Sequence, residues 1–317
     1  MSPWEPPSSP APAAGGPLLV AVGGGKGGIG KSVLAALLAI ECARRGLQTI
    51  LLDCDFGGPN LHSLLGMSLP RETLSEFVSR RADSLAALAV PTPVPRLTLV
   101  PGPRGTAGDA SLLHQQRVRL KRAVGTLQAQ VAVLDLGAGT HYDVVDFFLL
   151  AAHGVLVVTP EALSVENAYR FLKVAFLRRI RNAELSGDVE ELLQEAAREG
   201  GSGARTPAEL MAHINREAPV AGQVLTRLVE TFRPLLVVNQ VRTTQDLALA
   251  DSMCQAARRL FGVALEPLGA LHHCDTLARA VRARLPVIPE NLGVEAVTDL
   301  GRLVTRLLGL AVVRGTR

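Results

Sequence analysis

Apolar residues along this chain fall into short runs that are separated by longer amphipathic segments. The runs that predict strands cover residues 17–22, 48–54, 97–100, 131–136, 154–159, 235–239 and 263–268. Helical spacing predicts helices between most of these runs, including Ser32–Arg45, which ends at Gly46, and Ala107–Gln130. Strands that alternate with helices imply right-handed βαβ crossovers. We therefore predict an α/β fold with a mostly parallel, twisted sheet and helices on both faces.

Two stretches depart from this alternation. Residues 1–16 are rich in Pro, Ser and Ala and have few apolar anchors, which predicts a disordered tail ahead of one domain over 17–317. Residues 182–233 hold helical stretches without a strand, split by Gly200–Gly203, which predicts a helical insertion. It is either an elaborated crossover on the flank of the sheet or a lid that binds a partner.

Composition limits the class of protein only loosely. Hydrophobic residues make up 48% and aromatic residues 3%, so aliphatic side chains must fill the core, as in a buried parallel sheet. A net charge of +4 permits a nucleic-acid or anionic-membrane partner without requiring one. No two of the four cysteines form a CxxC pair, and Cys42 and Cys54 lie in apolar contexts that predict buried, inert thiols. This cysteine usage favours a reducing, cytoplasmic location. We find no signal-peptide pattern and no apolar run long enough to span a bilayer.

The chemistry is concentrated first in a glycine-rich loop. Residues 23–32 read GGGKGGIGKS between a strand and a helix, and they match the phosphate-binding pattern GxxxxGK[ST]. The glycines let several backbone N–H groups point at phosphate oxygens, and the helix start adds its positive end. Lys31 can reach the β- and γ-phosphates and Ser32 can hold Mg²⁺. We therefore predict an ATP site formed by Gly25, Lys26, Gly27, Gly28, Ile29, Gly30, Lys31 and Ser32.

Three acidic residues follow predicted strands. Asp53 and Asp55 end the second strand, where carboxylates can hold metal-bound water and orient an attacking one. Asp135 ends the apolar strand VAVLD, the pattern of a carboxylate that meets Mg²⁺, and is followed by the glycine-containing loop LGAGT. The predicted metal ligands are therefore Ser32, Asp53 and Asp135.

Together KGGIGKS, DCDFGGPNLH and DLGAG resemble the deviant Walker A motif and switch regions of the MinD/ParA family, P-loop NTPases of the SIMIBI type. DFGGPNLH and DLGAG are most similar to the FlhG(FleN) branch. The resemblance implies that Lys26 reaches the phosphates of a partner subunit's ATP, and that Asp55 positions the hydrolytic water. It also implies metal roles for Asp53 and Asp135 and an adenine contact for Asn239, which ends LLVVN.

The family implies a function as a molecular switch. We expect a slow ATPase that forms a homodimer on ATP, responds to an activating protein partner, and positions a flagellum, division site, chromosome or other cargo. We expect it in the cytoplasm, with peripheral attachment at the inner face of the plasma membrane or a nonspecific DNA contact left open. The alternatives are a metabolic or metallocluster-assembly enzyme, a DNA-segregating ParA-type ATPase, and a nucleotide-binding module with negligible turnover.

Several surfaces have two readings. The runs Arg178–Arg181 and Arg279–Arg284 are either solvated helix faces or DNA contacts. The apolar stripe of a C-terminal helix is either the last core helix or a membrane anchor, and it comprises Val294, Val297, Leu300, Leu303, Val304, Leu307 and Leu308. His272, His273 and Cys274 replace the family's usual loop, and they lack a fourth spaced ligand for a metal.

Overall fold

The computed structural model describes residues 16–104, 112–182, 207–217, 219–288 and 292–315. The predicted disordered tail, apart from Gly16, and the predicted linker Gly200–Gly203 lie outside the described residues. None of the described helices is long and apolar enough to cross a bilayer.

The described residues contain one sheet of eight strands in the order β3-β4-β2-β5-β1-β6-β7-β8. The strands are β1 (Leu18–Gly23), β2 (Thr49–Cys54), β3 (Val90–Pro91), β4 (Leu97–Val100), β5 (Val131–Leu136), β6 (His153–Val158), β7 (Leu235–Val241) and β8 (Glu266–His272). β2 pairs in parallel with β4 and β5, and β7 pairs in parallel with β6 and β8, whereas the short β3 is antiparallel to β4. The predicted mostly parallel α/β fold is confirmed.

Helices of different lengths occupy most of the connections. They are α1 (Lys31–Arg44), α2 (Leu61–Leu64), α3 (Leu74–Val78), α4 (His114–Gly125), α5 (Tyr142–Leu150), α6 (Ala162–Arg181), α7 (Pro207–Glu217), α8 (Pro219–Glu230), α9 (Thr244–Phe261), α10 (Asp275–Arg282) and α11 (Val294–Gly315), with a 3₁₀ turn at Ala86–Leu88. Local signals set their ends. A capping box of Thr73 and Glu76 begins α3, and Gly262, in the left-handed conformation with φ 68°, ends α9.

The chain divides into two compact units. The first unit holds residues up to Ala21, Ser32–Leu136 and the residues from Cys274 onward; the second unit holds Val22–Lys31 and Gly137–His273. Within the first unit every residue of β2 and β5 is buried, which explains the apolar runs Ile50–Leu52 and Val131–Leu134 that precede Asp53 and Asp135.

The C-terminal helix belongs to the core of the first unit. Leu300, Leu303, Val304 and Leu307 are buried, as the core-helix reading requires, whereas Val294 and Val297 at the start of α11 are exposed. Arg45, just after α1, donates from Nη2 to the Gly301 carbonyl at 2.7 Å and from Nη1 to the Thr305 hydroxyl at 2.8 Å. The central part of the stripe is therefore occupied by packing within the chain and is not presented to a membrane.

In the second unit, arginines of α6 bind the helices beside it. Arg178 forms a two-pronged ion pair with Asp146 of α5, with distances of 2.7 and 3.0 Å. Arg179 donates to the Leu228 carbonyl of α8 at 3.0 Å and to the hydroxyl of Thr231 at 2.8 Å. The guanidinium groups of these two arginines thus hold three helices together, so neither is a simply solvated side chain of a helix face.

Two predicted boundaries differ from the structure. The helix predicted over Ala107–Gln130 is described only as His114–Gly125, since residues 107–111 lie outside the described range and the chain turns after Gly125. There Leu127 and Ala129 are buried in the approach to β5 and are not part of a helical stripe. The last strand begins at Glu266 rather than Val263, because Val263 and Leu265 are buried in the turn that follows α9.

The strand β3 and the predicted helical insertion also differ in how well the sequence indicates them. The sequence did not predict β3, whose two residues pair only at Val90 and Pro91. In the predicted insertion, the described part consists of α7 and α8, which pack against each other in the second unit. No strand occurs among the described residues of the insertion.

Candidate functional site

The glycine-rich loop links β1 to α1, and most of it lies in the second unit. An added Cβ on Gly25 would lie 2.2 Å from the backbone oxygen of Asn167 in α6, so only glycine fits there. Gly30 has φ +87°, and an added Cβ would lie 2.4 Å from Nδ2 of Asn239. Gly27 and Gly28, between them, are exposed. The loop is therefore packed at both ends and has an accessible backbone in its middle.

Lys31 is a buried cation at the first position of a long helix. Its exposed fraction is 7%, and its Nζ donates to the Lys26 carbonyl at 3.1 Å. Position 31 is also the first residue of α1, where the helix dipole is positive. An anion bound at this end of the loop would be attracted by the Lys31 ammonium and by the positive end of the helix. The residues present therefore fit a phosphate group.

The second lysine of the loop is held within the chain. Nζ of Lys26 forms an ion pair with Glu161 at 3.0 Å, and the two side chains are 33% and 59% exposed. Glu161 immediately precedes α6. Sequence reasoning missed Glu161, because 135 positions separate it from Lys26 and no local motif marks the pairing.

Asn239 lies against the loop. Its Nδ2 donates to the carbonyl of Ile29 at 2.8 Å, and its Oδ1 accepts from the backbone N–H of Gln240 at 2.9 Å. Both ends of the amide thus have hydrogen-bond partners in the protein. The adenine contact stays a prediction, and it would add to or replace one of these hydrogen bonds.

In the first unit, two of the predicted carboxylates are neighbours on adjacent strands. Asp53 of β2 is in register with Asp135 of β5, and each is 1% exposed. Burial raises the pKa of Asp53 to about 7, although hydrogen bonds from the backbone N–H groups of Leu61, Asp55 and Asn60 act in the opposite direction. Those three bonds, of 3.0–3.2 Å, fold the chain after β2 around the Asp53 carboxylate.

Asp55 lies in a different environment. Its Oδ1 accepts from the backbone N–H groups of Gly57 and Gly58 at 3.0 and 3.2 Å, which forms a tight local turn. The residue is only partly buried, in contrast to Asp53. The predicted division between a buried metal carboxylate and a more accessible water-orienting carboxylate stays a prediction, and the two environments suit it.

The second unit also contains the histidines of the unusual late loop. His273 Nε2 lies 3.0 Å from Nη2 of Arg242, and Cys274 directly precedes α10 in the first unit. Among the described residues no group of three or more His, Cys, Asp or Glu side chains is arranged to hold a metal ion. The predicted magnesium set of Ser32, Asp53 and Asp135 includes only two such residues, and Mg²⁺ commonly retains several waters and binds few protein groups.

A parallel sheet with a glycine-rich loop, a buried lysine and carboxylates at strand ends is the arrangement of the P-loop NTPase fold. A family model described as "ParA: NUBPL iron-transfer P-loop NTPase" matches residues 18–94. This part of the chain is therefore similar to the ParA family of P-loop NTPases.

Two relatives are similar to about half of the chain. The chain is 34% identical over 158 residues to the antiactivator FleN of Pseudomonas aeruginosa, which covers 49% of this chain and 55% of FleN. It is 29% identical over 157 residues to the septum site-determining protein MinD of Synechocystis, covering 49% of this chain and 58% of MinD. The matched region thus spans little more than half the length of these two relatives.

A solved structure has the same fold. MinD of Pyrococcus horikoshii, determined in complex with Mg-ADP, superposes with a TM-score of 0.58 at 16% identity, over 92% of this chain and 96% of that one. At this identity the similarity establishes the fold alone.

Proposed function

We propose that this chain is an ATP-dependent molecular switch that binds Mg·ATP at Gly25–Ser32, dimerises on ATP and hydrolyses it slowly. The observation that carries the proposal is the buried ammonium of Lys31 at the start of α1. A triphosphate at the loop would be attracted both by this ammonium and by the positive end of the α1 dipole, which contributes about 0.3–1 kcal/mol at an exposed site.

The roles of the side chains follow from their chemistry. Bound Mg·ATP would supply a γ-phosphoryl group for transfer to water. The loop N–H groups and Lys31 would hold the phosphates, and the oxygens of Ser32, Asp53 and Asp135 would hold Mg²⁺, directly or through water. Asp55, the more accessible carboxylate, would orient the attacking water.

Dimerisation is proposed from Lys26. In the structure its ammonium is bound to Glu161 of the same chain, and both side chains are partly exposed. Exposed ion pairs contribute only about 0–1 kcal/mol, so Lys26 can exchange Glu161 for a phosphate at small cost. If the Lys26 ammonium contacts the triphosphate of a second subunit, it would neutralise negative charge that develops during phosphoryl transfer. Dimerisation would then depend on bound ATP.

The cellular role is proposed from the relatives. FleN is named an antiactivator and MinD a septum site-determining protein, which supports a switch that regulates or positions a cellular structure through an activating protein partner. The four free cysteines fit a reducing, cytoplasmic location. Peripheral contact with an anionic membrane or with DNA is proposed for the exposed arginines Arg279, Arg282 and Arg284, since Arg178 and Arg179 bind within the chain.

Metallocluster assembly is the second candidate, because the matching family model is described as an iron-transfer NTPase. The 317 residues contain no CxxC pair, and two of the four cysteines are buried. An iron–sulfur absorption spectrum after anaerobic reconstitution, retained through gel filtration, would favour this candidate over the switch.

Nucleotide binding is tested by Lys31→Ala. We expect the affinity for Mg·ATP to fall roughly 100-fold, because charge-assisted hydrogen bonds of about 1.5–3 kcal/mol each are lost. Isothermal titration calorimetry measures the change. Lys173→Ala, which removes an exposed lysine of α6, is the matched control and should bind like the unaltered protein. Tight ATP binding by Lys31→Ala would contradict the phosphate assignment.

A further inference from the structure

Asn239 and the glycine-rich loop form a contact that is buried and specific. Asn239 is 6% exposed, and its Nδ2 donates to the Ile29 carbonyl over 210 positions of sequence. Gly30, the next residue of the loop, has no room for a side chain beside that same nitrogen. The carboxyl end of β7 thus lies directly against the second half of the loop, within the second unit.

An irregularity in β7 fixes the orientation of the amide. The register between β7 and β8 shifts between Asn239 and Val241, and the intervening Gln240 has φ +61°. This bulge leaves the N–H of Gln240 to donate to Oδ1 of Asn239. Because Oδ1 accepts this bond, Nδ2 must face Ile29, so the bulge presents the donor end of the side chain to the loop.

The contact also determines the direction of a loop N–H. The carbonyl of Ile29 and the N–H of Gly30 belong to one trans peptide, so they point in opposite directions. While Asn239 holds the Ile29 carbonyl, the Gly30 N–H points away from Asn239, and the carbonyl oxygen cannot turn toward a bound anion. A phosphate would be attracted by the N–H group and repelled by the oxygen.

We propose that Asn239 is a positioning residue for the phosphate loop, acting on the triphosphate through the Ile29–Gly30 peptide and independently of the base. The inference rests on the proposed nucleotide site and deepens it. It differs from an adenine-reading role in one measurable respect. A positioning residue supports the binding of any triphosphate, including one without a base, whereas an adenine contact supports ATP alone.

The test compares three probes in the presence of Mg²⁺: ATP, GTP and inorganic tripolyphosphate. Their affinities are measured by calorimetry for the unaltered protein, Asn239→Ala and Asn239→Ser. We expect Asn239→Ala to weaken all three by the same factor, about 3- to 10-fold, the value of one buried hydrogen bond. Asn239→Ser keeps a small donor at the strand end and should lose less. Gln240→Asn, which alters a half-buried neighbour and tolerates the left-handed backbone, is the control and should lose nothing.

The outcomes separate the possible failures. Weaker ATP binding with unchanged tripolyphosphate binding would overturn the inference in favour of an adenine contact. Unchanged affinity for all three probes in both Asn239 variants would also overturn it. If the unaltered protein binds none of the probes, it is the proposed function that fails. Thermal unfolding of each variant confirms that affinities are compared between folded proteins, and Asn239→Ser serves if Asn239→Ala does not fold.

Discussion

Single side chains near the predicted site stabilise neighbouring loops, in addition to the chemical roles that the motifs suggest. Asp53 holds three backbone N–H groups of the following loop, and Asn239 holds the Ile29 carbonyl. Each residue lies near the end of a buried strand, where a polar side chain must satisfy its hydrogen bonds within the protein. A substitution at either position will therefore change loop order together with any direct contact to a ligand.

Cysteine reactivity gives a prediction at the scale of single residues. Partial burial raises the pKa of the Cys274 thiol, but hydrogen bonds from Thr276, Gly293 and Leu277 lower it. The net result is a pKa below the ordinary value for cysteine. Burial raises the pKa of Cys42 to about 12, and burial also raises the pKa of the Cys54 thiol well above its ordinary value. Iodoacetamide near neutral pH should label Cys274 first and leave Cys42 and Cys54 unmodified in the folded protein.

Time-resolved peptide mapping by mass spectrometry measures the labelling order. Cys254, whose pKa is raised by burial, serves as the internal comparison, because it is exposed to a similar degree as Cys274. Labelling of Cys254 ahead of Cys274, or of Cys42 before either, would contradict the environments described for these thiols.

At the residue scale, the sequence predicts site residues that are adjacent in the chain, but not contacts between residues that are far apart in it. The loop Gly25–Ser32 is a contiguous pattern, so its residues could be named from the order of amino acids alone. The pairing of Lys26 with Glu161 and that of Asn239 with Ile29 join residues that are 135 and 210 positions apart. Such contacts depend on which strands and helices become neighbours, and a single sequence does not carry that information.

The elements of the fold were predictable in proportion to their burial. β2, β5 and β6 are buried at every position, and each contains a short apolar run that is visible in the sequence: Ile50–Leu52, Val131–Leu134 and Val155–Val158. The two-residue β3 is too short to produce a pattern, and β8 shares its apolar residues with the preceding turn. The arginines of α6 resembled a basic surface, since the sequence does not show that Asp146 lies opposite Arg178.

The packing of α5 against α6 can be tested through that ion pair. Asp146 is nearly buried, with 4% of its side chain exposed against 24% for Arg178. Arg178→Ala should lower the free energy of unfolding by about 3 kcal/mol, because it leaves a buried carboxylate without its guanidinium. Urea unfolding followed by circular dichroism gives the value.

Arg170→Ala is the matched control on the same helix. Arg170 pairs with Glu166 on the surface, where the side chains are 62% and 64% exposed, so its removal should cost less than about 0.5 kcal/mol. Equal destabilisation by the two alanine variants would show that the Arg178–Asp146 pair does not hold α5 to α6.

At the scale of the whole molecule, the proposed ATP-dependent dimer depends on which group Lys26 binds. The ion pair of Lys26 with Glu161 would compete with the transfer of Lys26 to the ATP of a second subunit. Glu161→Gln should therefore tighten the ATP-dependent dimer, by up to about 30-fold, because two exposed ion pairs are removed, one in each subunit, and each contributes at most about 1 kcal/mol. Analytical ultracentrifugation over a range of concentrations gives the dissociation constant.

Glu166→Gln, which breaks a comparable exposed pair five residues along the chain, controls for the loss of a negative charge. It should leave the dissociation constant unchanged. The gain from Glu161→Gln should also vanish in a Lys26→Ala background, since the competing group is then absent. A weaker dimer in Glu161→Gln, or an equal gain in Glu166→Gln, would rule out this competition.

We propose that ATP binding, before hydrolysis, joins two chains. The most direct measurement is the solution mass of Asp55→Ala protein with Mg·ATP and with Mg·ADP, obtained by light scattering together with the amount of bound nucleotide. Without the water-orienting carboxylate ATP should persist, and the 33.5 kDa chain should double in mass with ATP and stay single with ADP. A protein that retains ATP yet keeps the mass of one chain would contradict the account.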